Sequence, residues 1–123
     1  MILVDTSVWV DHFRLASAIL TELLDDGQVL GHPLVLGELA LGNVRQRDAL
    51  LSDLRELPQA VVAEDHEIIR LIDREALFGR GISYVDAHLL AAARLTAGSK
   101  LWTRDRRLQA VAVQLGLAAA LSR

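Results

Sequence analysis

The sequence has no cysteine, one lysine and only two prolines, and aromatic residues are sparse at 4%. The missing cysteine excludes disulfides and thiolate metal sites, so any bound metal must be held by oxygen or imidazole. No apolar run approaches the ~20 residues that a membrane-spanning helix needs. The stretch Leu89 to Ala93 is bounded by His88 and Arg94 and reads as a buried helix. The opening MILVDTSVWVDHF reaches Asp5 too early for a secretion signal, so the chain reads as cytoplasmic and not membrane-bound. Of 13 basic residues only Lys100 is a lysine. The rest are arginines, which suit bidentate phosphate contacts, although codon usage alone can produce such an excess. The net charge of -3 opposes bulk attraction to nucleic acid. Acids neutralised by a metal would weaken that objection.

What is present is a hydrophobic content of 52% in 123 residues, which fits one domain over 1–123. No repeat, linker or low-complexity tract interrupts it. Ile2 to Val4 reads as a short buried strand ending at Asp5. Helices are expected over Ser7–Phe13 and Ser17–Leu24, with Asp25-Asp26-Gly27 as a stop. Gln28–Gly31 reads as a second strand. Pro33 suits the first position of a helix over Leu34–Leu41, which ends near Gly42-Asn43. Leu50, Leu51, Leu54 and Leu57 give a helical period over Arg45–Leu57, closed by Pro58. Gln59–Ala63 is a third strand candidate. Asp65–Phe78 and Ser83–Ala97 read as helices separated by Gly79-Arg80-Gly81. Lys100–Thr103 reads as a strand, Arg106–Leu115 as a helix and Leu117–Leu121 as a last short strand. Strands alternating with helices predict a three-layer α/β/α domain around a mostly parallel sheet. Ligands of such folds sit at the carboxyl ends of the strands, where Asp5 and Asp105 fall.

Four acids stand out. Asp5 follows a strand and precedes a helix, so it is either the helix cap or, if Thr6 or Ser7 caps, free for other work. Glu38 lies three or four residues from Leu34, Val35 and Leu41. A carboxylate among such neighbours is costly unless it is paired, protonated, bound to metal or able to reach solvent at the helix edge. Asp86 has capping-box spacing from Ser83, yet shares a helix face with Leu90, Ala93 and Ala97. Asp105 can cap the next helix, and Thr103 beside it offers a hydroxyl for a carboxylate or a metal-bound water. Four carboxylates meeting in one pocket could not all stay ionised. A divalent cation removes that conflict, and hard oxygen ligands select Mg²⁺ or Mn²⁺ over Zn²⁺.

Val4-Asp5-Thr6-Ser7-Val8-Trp9, Glu38-Leu39-Ala40-Leu41-Gly42, Asp86-Ala87-His88-Leu89-Leu90-Ala91-Ala92-Ala93 and Leu101-Trp102-Thr103-Arg104-Asp105-Arg106-Arg107-Leu108 follow one another in that order. Together they resemble the four acidic segments of PIN-domain ribonucleases, and their spacing and the chain length resemble the VapC toxins of type II toxin–antitoxin modules. The resemblance implies that Asp5, Glu38, Asp86 and Asp105 are the catalytic, metal-holding acids. It makes Thr103 the hydroxyl near the fourth acid, and Thr6 or Ser7 the polar residue after the first. It also implies Mg²⁺ or Mn²⁺ dependence, a homodimer, a cognate antitoxin that blocks the site, and structured RNA such as transfer RNA as substrate.

On this reading Asp5, Asp86 and Asp105 ligate metal directly or through water, and Glu38 holds a second metal-site water or acts as general base. Arg14, Arg80, Arg104, Arg106 and Arg107 are candidate phosphate contacts, against the plainer reading of a solvated face or internal ion pairs. Trp9, Phe13 and the leucines of the early helices leave room for a dimer or antitoxin face. His12, His32, His66 and His88 lack zinc-motif spacing and read as structural or surface residues. Three other readings compete. A signalling receiver would use Asp65 as phosphoacceptor and Lys100 as its lysine. A PIN nuclease could process RNA without an antitoxin. A silent binding module would need one of the four acids to be missing, and none is.

Overall fold

The computed structural model describes residues 1–121. Three short strands, β1 (Ile2–Val4), β2 (Val29–Leu30) and β3 (Lys100–Trp102), form a parallel sheet in the order β2-β1-β3. Ile2 is paired with Val29 on one side and with Lys100 on the other, and Val4 with Trp102. Helices α1 (Thr6–Arg14) and α2 (Ala18–Asp25) connect β1 to β2. Helices α3 (Pro33–Leu41), α4 (Arg47–Arg55), α5 (Asp65–Arg74) and α6 (Tyr84–Leu95) then carry the chain to β3 on the far side of β1, and α7 (Arg106–Gln114) follows. The strand order reverses at β1, so the crevice between the ends of β1 and β3 is the place such a topology leaves open for a ligand.

Local chemistry accounts for the helix starts. Pro33 occupies the first turn of α3, and His32 caps it by accepting the Leu34 N–H on Nδ1 at 3.1 Å. Ser17 caps α2 through the Leu20 N–H. At α6, Ser83 and Asp86 form a reciprocal capping box with both bonds at 3.0 Å. Every residue from Ala87 to Ala93 is buried, so α6 is the central helix, as its alanine-rich sequence predicts.

Several boundaries differ from the sequence reading. Gln59–Ala63 is not a strand: it gives one bridge, Gly31 to Gln59, and then leaves the edge, with Val61 and Val62 about half exposed. Leu117–Leu121 likewise gives only the bridge from Leu101 to Ala118. Both segments lie at sheet edges, where pairing depends on one neighbour alone. Helix α4 begins two residues late because Gln46 adopts a left-handed conformation (φ 51°). Helix α5 ends at Arg74, short of Phe78. Ala76 turns left-handed (φ 52°), and the Leu77 N–H folds back to the Ile72 carbonyl at 2.9 Å. This is a Schellman stop made without glycine. Trp9 is only 4% exposed and belongs to the core, which removes it from any outer face; Leu15 and Leu41 are the exposed apolar residues nearby. Among the described residues no helix is long and apolar enough to cross a membrane.

Candidate active site

The parallel register of β1 and β3 brings Asp5 and Thr103 side by side. The Asp5 N–H extends the ladder to the Trp102 carbonyl at 3.0 Å. Asp5 is 6% exposed. Its Oδ2 accepts from Ser7 Oγ at 2.7 Å and from Thr103 Oγ1 at 2.8 Å. Two hydroxyl donors compensate part of the cost of burying a charge. Asp5 occupies the N-cap position of α1 without capping it through its side chain.

Thr103 links the first acid to the fourth. Its hydroxyl donates to Asp5 and accepts the Asp105 N–H at 3.0 Å. Asp105 is exposed and caps α7: its Oδ1 accepts the N–H groups of Arg107 and Leu108, each at 2.9 Å. Ser7 extends the network, accepting the Arg104 N–H at 3.0 Å.

Asp86 enters from α6. It is half-buried, and one carboxylate oxygen holds the Ser83 N–H. Its pKa is raised, chiefly by burial, with further contributions from the negative charges of Asp5 and Asp105 opposed by the Ser83 hydrogen bonds. Asp5 and Asp105, far from Asp86 in the chain, are thus near enough in space for their charges to act on it. Glu38 comes from α3, where Thr6 Oγ1 donates to its Oε1 at 2.5 Å. Glu38 is exposed, so the sequence argument from apolar neighbours does not hold for it; α3 leaves its carboxylate at the solvent edge, next to the residue that follows Asp5.

Among the described residues no three acids or imidazoles stand close enough to grip a metal ion directly. The chemistry of the donors nonetheless fits a hard cation. All are oxygens, three carboxylates share one field, and Mg²⁺ keeps several waters through which separated carboxylates can hold it. A cleft of about 660 Å³ is lined in part by Arg14, Trp102 and Arg104, the last of which donates its backbone N–H to Ser7.

Of the four histidines, His66 is exposed and His32 is a buried helix cap, with two details that spacing does not reveal. His32 and His88 are buried neighbours with ring centroids 6.4 Å apart, and His32 Nε2 and His88 Nδ1 lack partners. The receiver reading finds no support in the geometry. Asp65 stands at the start of α5 holding the Tyr84 hydroxyl, and Lys100 lies at the opposite end of β3 from the acids, donating to the Gly116 carbonyl. One contact was not predicted: Arg107 lies across Gly81. A glycine before a capping box was its only signal.

A family model for the PIN domain matches residues 2–114, and the chain belongs to that family. Within it, the chain is 51% identical over 120 residues to Ribonuclease VapC32 from two strains of Mycobacterium tuberculosis. That match covers 98% of this chain and 97% of the relative. It is accordingly a PIN-domain ribonuclease of the VapC type, and not a receiver.

Proposed function

We propose that this protein is the toxin of a type II toxin–antitoxin pair, an endoribonuclease that hydrolyses RNA phosphodiester bonds with Mg²⁺ or Mn²⁺ at Asp5, Glu38, Asp86 and Asp105. The observation that carries the site assignment is the Thr103 hydroxyl joining Asp5 to Asp105, with Asp86 on α6 close enough that, after burial, the negative charges of both raise its pKa. A cation held among these carboxylates would relieve the repulsion that Asp86 feels from the other two.

Asp5 is the anchor: two hydroxyls fix its orientation, and burial keeps competing water away. Thr103 and the first turn of α7 orient Asp105. The capping box orients Asp86. Glu38, exposed and tethered by Thr6, holds a second metal-site water or takes the proton of the attacking water. The water oxygen bonds to phosphorus, the bond to the leaving oxygen breaks, and that oxygen takes a proton from solvent. The bound cation supplies charge neutralisation at the phosphate and acidifies water. The same reading gives a cytoplasmic homodimer whose cognate antitoxin covers the site, with structured RNA such as transfer RNA as substrate.

The test is to incubate the purified protein with cellular RNA and with transfer RNA in Mg²⁺, in Mn²⁺ and in EDTA, and to sequence the new ends. Defined ends should appear with either metal and vanish in EDTA. They should also vanish when the product of the gene immediately upstream is added. Ends of equal abundance in EDTA would overturn the metal assignment, and cleavage untouched by any neighbouring gene product would overturn the toxin reading.

A further inference from the structure

The candidate arginines differ sharply in what holds them. Arg104 is paired with Asp11 at 3.3 Å and lies over the Trp102 ring at 5.9 Å. Arg80 donates to the Gln114 side chain at 2.8 Å. Arg107 makes no ion pair among the described residues. Its side chain instead rests on the backbone of Gly81. A Cβ on Gly81 would fall 2.8 Å from both Cδ and Nη1 of Arg107 and 3.2 Å from Cζ. Gly81 also has φ +79°, so a side chain there is strained by the backbone and would push the arginine from its seat.

Each end of this contact lies close in the chain to an acid. The Arg107 N–H binds Asp105, and Gly81 lies two residues before Ser83, whose N–H binds Asp86. Yet among the described residues the guanidinium forms no ion pair with Asp5, Asp86 or Asp105. The helix does not account for the arginine either, because the first turn of a helix disfavours a cation. What remains is an exposed, unpaired, sterically seated cation beside a cluster of acids.

We propose that Arg107, seated on Gly81, is a phosphate-binding residue that grips the RNA backbone beside the scissile phosphate. This rests on the ribonuclease reading above. The guanidinium fork matches phosphate oxygens, and a side chain already confined by its seat loses less freedom on binding. The acids and Arg107 then divide the work: the cluster takes the cation, and Arg107 takes a neighbouring phosphate that the acids would otherwise repel.

The test measures binding of a fluorescent single-stranded oligoribonucleotide by anisotropy across a salt series in EDTA, where metal-dependent hydrolysis is silent, and steady-state cleavage in Mg²⁺. Arg107→Ala should lower the magnitude of the log Kd against log[salt] slope by about 0.7, the loss of one single-strand phosphate contact. It should raise KM by about ten- to a hundredfold, with a smaller fall in kcat. Arg107→Lys should restore the slope but only part of KM. Gly81→Ala keeps the charge and displaces it, so its KM should move toward that of Arg107→Ala. Arg74→Ala, which removes a positive charge on α5, should leave both readings near wild type. A wild-type slope and KM in Arg107→Ala would overturn the proposal, as would an equal loss in Arg74→Ala. If the wild type fails to cleave RNA in Mg²⁺, the ribonuclease reading falls, while the EDTA series still decides whether Arg107 binds phosphate.

Discussion

Asp5 and Asp105 sit at the same kind of junction, at the end of a strand and the start of a helix. Both hold extended N-cap backbone angles, φ -70° and ψ 154° at Asp5 and φ -75° and ψ 123° at Asp105. Their carboxylates do opposite things. Asp105 turns onto its own helix and satisfies two N–H groups of α7. Asp5 ignores α1 and takes the hydroxyls of Ser7 and Thr103. Helix α1 tolerates this because the N–H groups of Val8 and Trp9 reach the Asp5 carbonyl, at 3.0 and 3.3 Å. A residue at an N-cap position is therefore not yet a cap. What separates the two is whether a better donor than the helix stands within reach of the carboxylate.

The largest effect should come from the uncapping acid. Asp5→Asn should lower RNA cleavage in Mg²⁺ by at least about a thousandfold, equivalent to the several kcal/mol that a metal contributes to phosphoryl chemistry. The melting temperature should hold or rise, since like-charge repulsion is relieved and no helix cap is lost. Initial rates alongside thermal melts test both halves. Normal cleavage by this variant would remove Asp5 from the site.

The third strand–helix junction, at β2 and α3, extends the comparison with an imidazole in place of a carboxylate. Burial, and secondarily the charge of His88, lowers the His32 pKa from 6.5 to about 4. Its neutral form caps α3, so this stability is fully present above pH 6.5 and is lost as pH falls toward 4. The loss should be on the order of 3 kcal/mol. Melting temperatures of wild type between pH 7 and 4.5 should fall more steeply than those of His32→Asn, which can cap without titrating. Parallel curves would mean that His32 is not held neutral.

The smallest effect separates capping from charge at the other acid. Asp105→Ala should cost about 1 kcal/mol of stability along with activity, whereas Asp105→Ser should restore the cap and leave cleavage impaired. Urea denaturation and RNA cleavage assays on the pair provide the check. Full cleavage by Asp105→Ser would make Asp105 a cap and nothing more.

The parts legible in the sequence are those governed by near neighbours. Pro33, Ser17, the Ser83 and Asp86 pair and the buried run of α6 all follow from local chemistry and periodicity. The parts that were not legible depend on distant partners or on conformations without a compositional mark. Gln59–Ala63 and Leu117–Leu121 look like strands, but each finds one bridge at a sheet edge. Ala76 stops α5 in a conformation normally signalled by glycine. Helix α3 is apolar nearly all round, so its sequence could not say that Glu38 faces solvent at the Thr6 side. The same distance limit hid the pairing of His32 with His88 and of Arg107 with Gly81.

The Arg104 guanidinium lying over Trp102 gives this protein an optical reporter. The chain has two indoles. Trp9 is sealed in the core, while Trp102 is partly exposed and lies one residue from the Thr103 that holds Asp5. With Trp9 replaced by phenylalanine, emission would come from Trp102 alone, and arrival of an ion or a nucleotide at the acids could be followed without attaching a dye.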